Sequence, residues 1–557
     1  MADDRSRAGG EGTSDRPDPI SMELIMNSLG GICEEMADAL VRSSRSPNIK
    51  ERRDCSCCVY TAKGEIVAQA EHIPIHLGVM AGALRFILED FSPRNMREGD
   101  VYMVNDPYFG ANHLPDFIIV GPLFVGGSVV GFAASMAHHT DVGGISPRSM
   151  PANATEIFQE GLRIPPVKLV DAGVLNEAVE RIIVTNSRLP EERRADLMAQ
   201  VATIVVAQKR LQEMGALYGA GEIVATMSDV LDRSEAALRS VIGALPRQRF
   251  QGVSLADFGG SAIPVCVAIE PRGNTLVIDF SDTGGQTSSP FNSSVAATLA
   301  CVFMAVRITV AEGLAVNAGL YRAIEVKLPT GTILNPYFPA AISAAAQVSY
   351  HTFEALMAAF AVLYPNQVIA GSGGGGVFSF GGTNPETGRL FAYGEALGGG
   401  SGASVSADGE SGMIPPIANL HDTPVEALEM SLPVRIDRYE LVEDSGGPGK
   451  FRGGFGLRRA FRMLTDVRCS FQVSMPTHGP IGLAGGQRGR RTEIVITDPS
   501  GAMRRIDRFS EITVDSGTLI NIETAGGGGY GDAEERDGQA RRDDARRGYG
   551  FTPQVPA

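Results

Sequence analysis

Residues 105–141 read NDPYFGANHLPDFIIVGPLFVGGSVVGFAASMAHHTD, and this stretch decides the fold around the candidate site. Two apolar runs flank Gly126 and Gly127, a pattern that predicts a β-hairpin with a two-residue loop. If these glycines form the loop, Val125 pairs with Ser128. The pairing of every later residue in the two strands follows from that register.

The predicted register gathers polar side chains at the open end of the hairpin. His138 would lie opposite Pro115, between His113 and Asp116. Successive side chains of a strand point to opposite faces, so only one of His138 and His139 can join the other two. The hairpin pattern alone does not choose between them.

Two imidazoles and one carboxylate, with positions left open, are typical of a catalytic metal site. Such a set holds Zn, Mn or Fe and leaves room for water or substrate. Five of the eight histidines fall between residues 72 and 139, which favours this interpretation. Histidines that cap loops through hydrogen bonds are the alternative.

A second histidine pair lies upstream, in the segment EHIPIH at residues 71–76. His72 and His76 have the spacing of one helical face, but Pro74 between them predicts an extended segment or turn. These histidines would bind substrate or support the metal ligands, and a purely structural role is the alternative.

The bulk composition bounds the class of protein. A chain of 557 residues with 43% hydrophobic and 20% charged residues predicts two to four packed regions. The net charge of −15 argues against a nucleic-acid partner. The polar N-terminus and the lack of an 18-residue apolar run predict no membrane segment and a cytoplasmic protein. The seven unevenly spaced cysteines indicate buried reduced thiols.

The order of patterns along the chain predicts a mixed α+β protein built from several regions. Helical periodicity covers residues 21–44, 80–90, 175–214 with a break near Pro190, 219–243, 295–311 and 348–363, and residues 55–70 form two strands. We expect a disordered tail (1–18), an N-terminal metal-binding region of helices and a β-hairpin (19–250), a central α/β region with Gly-rich loops (251–423), a β-rich C-terminal region (424–532) and a loosely held tail (533–557). The runs GSGGGG (371–376) and GGGSGAS (398–404) are typical of loops that closely approach a ligand or subunit.

Nucleotide-binding motifs are absent from the sequence. No G-x-x-x-x-G-K-[ST] motif occurs, and no glycine run lies in a strand–G-x-G-x-x-G–helix unit. If ATP is used, we expect another chain to bind it.

Nine segments, in order along almost the whole chain, resemble the hydantoinase B/oxoprolinase family. They are ERRDCSC (51–57), AEHIPIHLG (70–78), GDVYMVNDPYFGANHLPD (99–116), AHHTDVGG (137–144), NSRLPEERRADLMAQ (186–200), NAGLYRAIEV (317–326), NLHDTPVEALE (419–429), DSGGPGKFRGG (444–454) and TAGGGGYGD (524–532). The resemblance implies that His113, Asp116 and His138 bind a divalent metal. It also implies a subunit of an ATP-dependent cyclic amidase, which opens hydantoin, 5-oxoproline or a related lactam. A hydantoinase A-type subunit would bind ATP in a hetero-oligomer and activate the amide oxygen by phosphorylation.

For this reaction we expect His139 or Asp141 to act as general base or to support the ligands, and His72 and His76 to orient the ring amide. Two alternatives stay open. One is a subunit of a ketone carboxylase of the acetone or acetophenone type. The other is a non-catalytic scaffold for an ATP-hydrolysing partner, because Ser401 and Ser404 lie where members of the family commonly carry an aromatic and a basic residue.

Overall fold

The computed structural model describes residues 18–70, 73–260, 262–414, 416–547 and 549. Its helices are α1 (Pro19–Ser43), α2 (Pro47–Lys50), α3 (Pro74–Asp90), α4 (Glu177–Thr185), α5 (Pro190–Gly243), α6 (Val295–Ile308), α7 (Ala318–Tyr321), α8 (Ala345–Phe360), α9 (Val425–Ser431) and α10 (Gly538–Arg546). Its strands are β1 (Cys55–Thr61), β2 (Ile66–Gln69), β3 (Val101–Val104), β4 (Asp116–Val125), β5 (Ser128–His138), β6 (Val167–Asp171), β7 (Val174–Leu175), β8 (Phe250–Asp257), β9 (Ala262–Arg272), β10 (Thr275–Asp279), β11 (Ile324–Lys327), β12 (Gly374–Thr383), β13 (Leu390–Gly398), β14 (Val434–Leu441), β15 (Leu457–Met463), β16 (Val467–Val473), β17 (Glu493–Thr497), β18 (Met503–Ile506), β19 (Ser510–Val514) and β20 (Leu519–Glu523).

A seven-stranded antiparallel sheet organises the N-terminal region, with the order β2-β1-β5-β4-β3-β6-β7. Helices α1 and α5 pack on one face, and α3 packs on the other. Strands β4 and β5 lie in the middle and are buried along almost their whole length. Burial on both faces explains why their sequences are continuously apolar rather than alternating.

Most predicted N-terminal elements are present. Strands β1 and β2 form the expected hairpin, and Pro190 begins α5 after the break that follows α4. The long α5 changes direction at Gly219, whose φ of 77° is outside the helical region, so the two predicted helices are consecutive parts of one element.

The prediction for the segment around Pro74 is wrong. Pro74 begins α3, and His76 lies in the first helical turn rather than in an extended segment. Proline is accommodated at the first helical position because the backbone N–H that it lacks would have no partner inside the helix. His72 lies outside the described residues.

The central region packs a four-stranded sheet against two helices. The sheet has the order β11-β10-β9-β8, and α6 and α8 contribute to the same apolar core. The N-terminal part of α3 and the C-terminal end of α5 also reach this core through Ile75 and Leu238. These two helices therefore couple the central region to the seven-stranded sheet.

The C-terminal region contains two further sheets, with the orders β13-β12-β16-β19 and β14-β15-β20-β17-β18. They enclose one shared core. Because β12 and β13 precede residue 424, the first of these sheets also draws strands from the segment that the sequence assigns to the central region. The mixed α+β fold class is confirmed, whereas the expected region boundaries stay a prediction.

The glycine-rich runs pack against the backbone of their own chain. A Cβ added at Gly400 would overlap the carbonyl oxygen of Gly454, and one added at Gly527 would overlap that of Ser401. We call the packed segments 371–376, 398–404, 445–456, 479–489 and 524–531 the glycine junction. Backbone hydrogen bonds cross it, including Gly528 N–H to Gly371 O at 2.8 Å. Side chains are excluded there because backbone meets backbone.

The C-terminal segment is more firmly held than the expected tail. Helix α10 begins after Arg536, whose guanidinium pairs with the carboxylates of Asp408 and Asp544 at 2.8 and 2.7 Å. The Tyr549 ring contacts Phe455 edge to face. Residues 1–17, which contain nearly all of the other predicted tail, lie outside the described residues.

The sequence also predicts buried reduced thiols and no membrane segment. All seven cysteines belong to the described residues; they are unpaired, and six of them are buried. Burial raises the pKa of the Cys55 and Cys58 thiols to about 12, which keeps them protonated. Within the described part of the chain, no helix combines the length and apolarity needed to cross a bilayer.

Candidate metal centre

The hairpin loop forms at the predicted glycines. Gly126 and Gly127 have φ values of 59° and 80°, which suit a tight turn between twisted strands. Val125 pairs with Ser128 as expected. Farther from the loop the register differs from the prediction, because the pairing shifts by one residue between Phe124 and Leu123.

This shift changes the partner of His138. Val129 pairs with Phe124, but Gly131 pairs with Leu123, so Val130 is an extra residue in β5. Such a β-bulge inserts one residue into one strand only. His138 therefore lies opposite Asp116, and the predicted pairing with Pro115 is wrong. A bulge leaves no clear signal in an apolar run, so the sequence could not reveal it.

Three side chains meet at the open end of the hairpin. His113 lies in the loop before β4, Asp116 begins β4, and His138 ends β5. His138 Nδ1 is 3.0 Å from Asp116 Oδ1, and His113 Nδ1 is 3.6 Å from Asp116 Oδ2. One potential ligand atom from each residue lies within 4.8 Å of the others, as one shared metal ion requires.

The hydrogen bonding and charge of this cluster fit a metal. Among the described residues, His113 Nδ1 and His138 Nε2 are buried without hydrogen-bond partners, and a cation would satisfy such atoms. Burial lowers the pKa of His138 to about 4, so the ring stays neutral, as a metal ligand must be. Burial opposes ionisation of Asp116, but His113 and His138 outweigh it and hold the pKa of Asp116 below its usual range.

A second polar group lies beside the cluster. His76 Nδ1 is 3.2 Å from Ser56 Oγ, and His76 Nε2 is 3.5 Å from Asp54 Oδ1. The backbone N–H of His138 donates to Asp54 O, which places Asp54 next to the cluster. Asp54 is not among the predicted site residues, because its position depends on the pairing of β1 with β5, which joins segments about eighty residues apart.

The other two predicted residues have structural contacts. His139 Nε2 is 2.7 Å from Gln200 Oε1 of α5, and the His139 ring stacks on Phe117 at 4.2 Å between centroids. The Asp141 carboxylate accepts from the backbone N–H of Arg148 at 3.0 Å and from Arg188 Nη1 at 2.9 Å. These contacts direct His139 away from the cluster and commit Asp141 to organising the loop that follows β5.

A cavity of about 620 Å³ lies between α3 and α6. Its walls are largely apolar and include Phe86, Leu299 and Phe303. His113, Asp116 and His138 do not line it. The cluster itself lies in an enclosed polar environment at the end of the hairpin.

The comparisons with known proteins show which family the chain resembles along its length. The family described as Hydantoinase B/oxoprolinase matches residues 18–533. An uncharacterised protein of Methanocaldococcus jannaschii is 34% identical, with 93% of this chain and 92% of that protein covered. A protein of a Pseudomonas species, described as a putative subunit of a D-/L-hydantoinase, is 30% identical, with 93% and 91% covered.

One solved structure extends the likeness to three dimensions. The ATP-dependent caprolactamase of Pseudomonas jessenii has a TM-score of 0.86 and 27% identity, covering 96% of this chain and 94% of that one. The chain also matches several 5-oxoprolinases but spans only about two fifths of their length.

Proposed function

The chain belongs to the hydantoinase B/oxoprolinase family, and from this premise we propose that it is the metal-binding catalytic subunit of an ATP-dependent cyclic amidase. The observation that carries this proposal is the convergence of His113, Asp116 and His138 on one point. The names of the relatives support cyclic amides as the substrate class, because they include a putative hydantoinase subunit, 5-oxoprolinases and a caprolactamase.

His113, Asp116 and His138 are the residues that would hold a divalent Zn, Mn or Fe ion. When bound, such an ion polarises a carbonyl oxygen and lowers the pKa of water. The protein contributes a neutral His138 and an ionised Asp116, and both are oriented by the strand ends that carry them. The Asn112 side-chain amide donates to Asp116 Oδ2 at 3.0 Å and fixes the carboxylate plane.

His76 is the side chain that we propose to hold and move a proton beside this cluster, or to orient the ring amide. Its two nitrogens lie near Ser56 and Asp54, and the Asp54 carboxylate would stabilise a protonated ring. We assign His139 and Asp141 to supporting the site, because Gln200 and Arg188 already engage them. The proposed role of His72 rests on the sequence alone.

The ATP site belongs to a partner in this proposal. The chain has no phosphate-binding motif, while the caprolactamase is named as ATP-dependent and the hydantoinase relative as a subunit. The 5-oxoprolinases are more than twice as long as the matched segment, so they have room for a second functional unit. We therefore propose a cytoplasmic hetero-oligomer with a hydantoinase A-type subunit.

The test is co-purification with that partner, followed by elemental analysis and a ring-opening assay. Hydantoin, 5-oxoproline and caprolactam would be supplied with ATP, and product would be measured by mass spectrometry. We expect Asp116→Asn and His113→Ala to lose bound metal and at least 100-fold in turnover. The exposed His478 provides the matched control, since His478→Ala should retain both metal and activity.

Different results would select different functions. Full turnover by His113→Ala after complete loss of metal would refute the proposed mechanism. Bicarbonate-dependent ATP consumption with a ketone would identify a carboxylase subunit instead. A loaded metal site with no turnover on any cyclic amide would favour the scaffold alternative.

A further inference from the structure

Two buried arginines near the cluster of His113, Asp116 and His138 form no direct ion pair with a carboxylate of the described residues, although Glu395 interacts electrostatically with both. Arg52 and Arg148 are 0% and 3% exposed, respectively. Among the described residues, neither guanidinium forms an ion pair within 4.0 Å, and Arg52 Nη2, Arg148 Nε and Arg148 Nη1 have no hydrogen-bond partner. Buried cationic groups are costly unless they are paired, so this arrangement points to an anion that binds between them.

Both side chains converge on one glycine of β13. Arg52 Nη1 donates to the carbonyl oxygen of Gly394 at 3.1 Å, and a Cβ added at Gly394 would overlap the Arg148 side chain. Ser379, the strand partner of Gly394, has a buried hydroxyl without a partner among the described residues. Three polar side chains with unused donors therefore lie around Gly394.

Arg148 has a strained backbone conformation. Its φ of 69° lies in the left-handed region, which favours glycine over residues with a Cβ. The Asp141 carboxylate accepts from the Arg148 backbone N–H at 3.0 Å and holds this conformation in place. An unfavourable conformation kept in a buried arginine is typical of a functional position.

The arginines lie within electrostatic range of the group formed by His113, Asp116 and His138. Arg148 interacts electrostatically with Arg52 and with the Asp54 and Glu395 carboxylates, and Asp54 O accepts from the His138 backbone N–H at 3.0 Å. A group bound between the guanidiniums would therefore lie beside the proposed reaction centre, where exclusion of water strengthens its attraction to both charges.

We propose that Arg52 and Arg148 form an oxyanion-binding subsite, so that the substrate carries an anionic group next to the amide that is opened. This inference rests on the proposed function and narrows its substrate class. Guanidinium groups bind planar carboxylates and phosphates through paired N–H donors. The anion is either a carboxylate of the cyclic amide or a phosphoryl group delivered during activation.

The test measures binding to the purified full chain by calorimetry, without ATP or partner, so it does not depend on turnover. The probes are 5-oxoproline, 2-pyrrolidinone, which is the same ring without the carboxylate, and inorganic phosphate. Arg148→Gly removes the guanidinium and suits the positive φ, so the variant should fold. Arg53→Gly is the matched control, because Arg53 has a φ of 54° but is exposed.

We expect Arg148→Gly to weaken anion binding at least tenfold and Arg148→Lys to recover part of it, while Arg53→Gly binds like the wild type. Loss for 5-oxoproline alone would identify the substrate carboxylate as the anion, and loss for phosphate alone would identify the phosphoryl group. An Arg148→Gly protein that binds both anions like the wild type, or a wild type that binds neither, would overturn the proposal. The metal and ring-opening assays would still report on the proposed function separately.

Discussion

The substitution Glu160→Gln tests whether a buried acid stays protonated near neutral pH. Glu160 is 1% exposed, and its Oε1 accepts from the backbone N–H groups of Ile342 and Ser343 at 2.8 and 2.7 Å. Its Oε2 has no hydrogen-bond partner among the described residues. Burial raises the pKa of Glu160 from 4.5 to about 8, although the two backbone donors partly oppose this.

The sign and size of the effect follow from this pKa. Between pH 4.5 and about 8 the folded protein binds more protons at Glu160 than the unfolded chain does. Stability should therefore fall as pH rises through this window, by roughly 1.4 kcal/mol per pH unit and at most about 5 kcal/mol in total. Glutamine keeps the oxygen acceptor without the charge, so Glu160→Gln should lack this slope and exceed the wild type in stability at pH 8.

The assay is urea denaturation followed by circular dichroism from pH 5 to 8.5, since the chain has no tryptophan to report by fluorescence. The exposed turn residue Glu386 supplies the control, and Glu386→Gln should follow the wild-type pH dependence. If the wild-type and Glu160→Gln curves stay parallel across the range, Glu160 is ionised in the folded protein and the reasoning from burial fails.

Two further predictions concern backbone packing and the C-terminal helix. Gly131→Ala should destabilise the protein by more than about 2 kcal/mol, because the added Cβ would overlap the Tyr60 carbonyl oxygen between β1 and β5. Gly127→Ala in the open loop should cost only about 1 kcal/mol. Thermal denaturation would measure the two losses of stability, and equal losses would contradict the packing argument. Arg536→Met should remove the shorter ion pairs of Asp408 and Asp544 and leave them only Arg452, at 3.7 and 3.2 Å, so proteolysis of α10 should become faster while metal content stays unchanged. Unaltered cleavage of this C-terminal segment would show that the ion pairs do not hold it.

Local patterns predicted the parts of the fold that depend on neighbouring residues. The double-glycine loop of β4 and β5, the break at Pro190 and the helical periodicity of α1 were all readable from short segments. The meeting of His113, Asp116 and His138 followed from the hairpin in outline, although the bulge at Val130 changed the pairing. Strand alternation also predicted that His138 and His139 diverge.

Features that depend on long-range contacts were not predictable. Asp54 and Arg52 reach the site because β1 pairs with β5, and Arg148 reaches it because its loop packs on β13. The sequence predicts the wrong secondary structure at Pro74, because proline disrupts the interior of a helix but is favourable in its first turn. The glycine runs also meet distant parts of their own backbone, which no local pattern predicts, and the approach of a ligand or subunit to them stays a prediction.

The glycine junction has a consequence for how the protein is synthesised. Its hydrogen bonds include Gly400 N–H to Ala525 O and Ala403 N–H to Gly528 O, so residues 398–404 depend on the segment 524–531, which is synthesised more than a hundred residues later. Contacts between such distant segments form late, because a long loop must close before any of them stabilises the chain. A nascent chain released before residue 524 would leave the amides of Gly400 and Ala403 without these partners, and chaperone binding or premature degradation should concentrate on that intermediate.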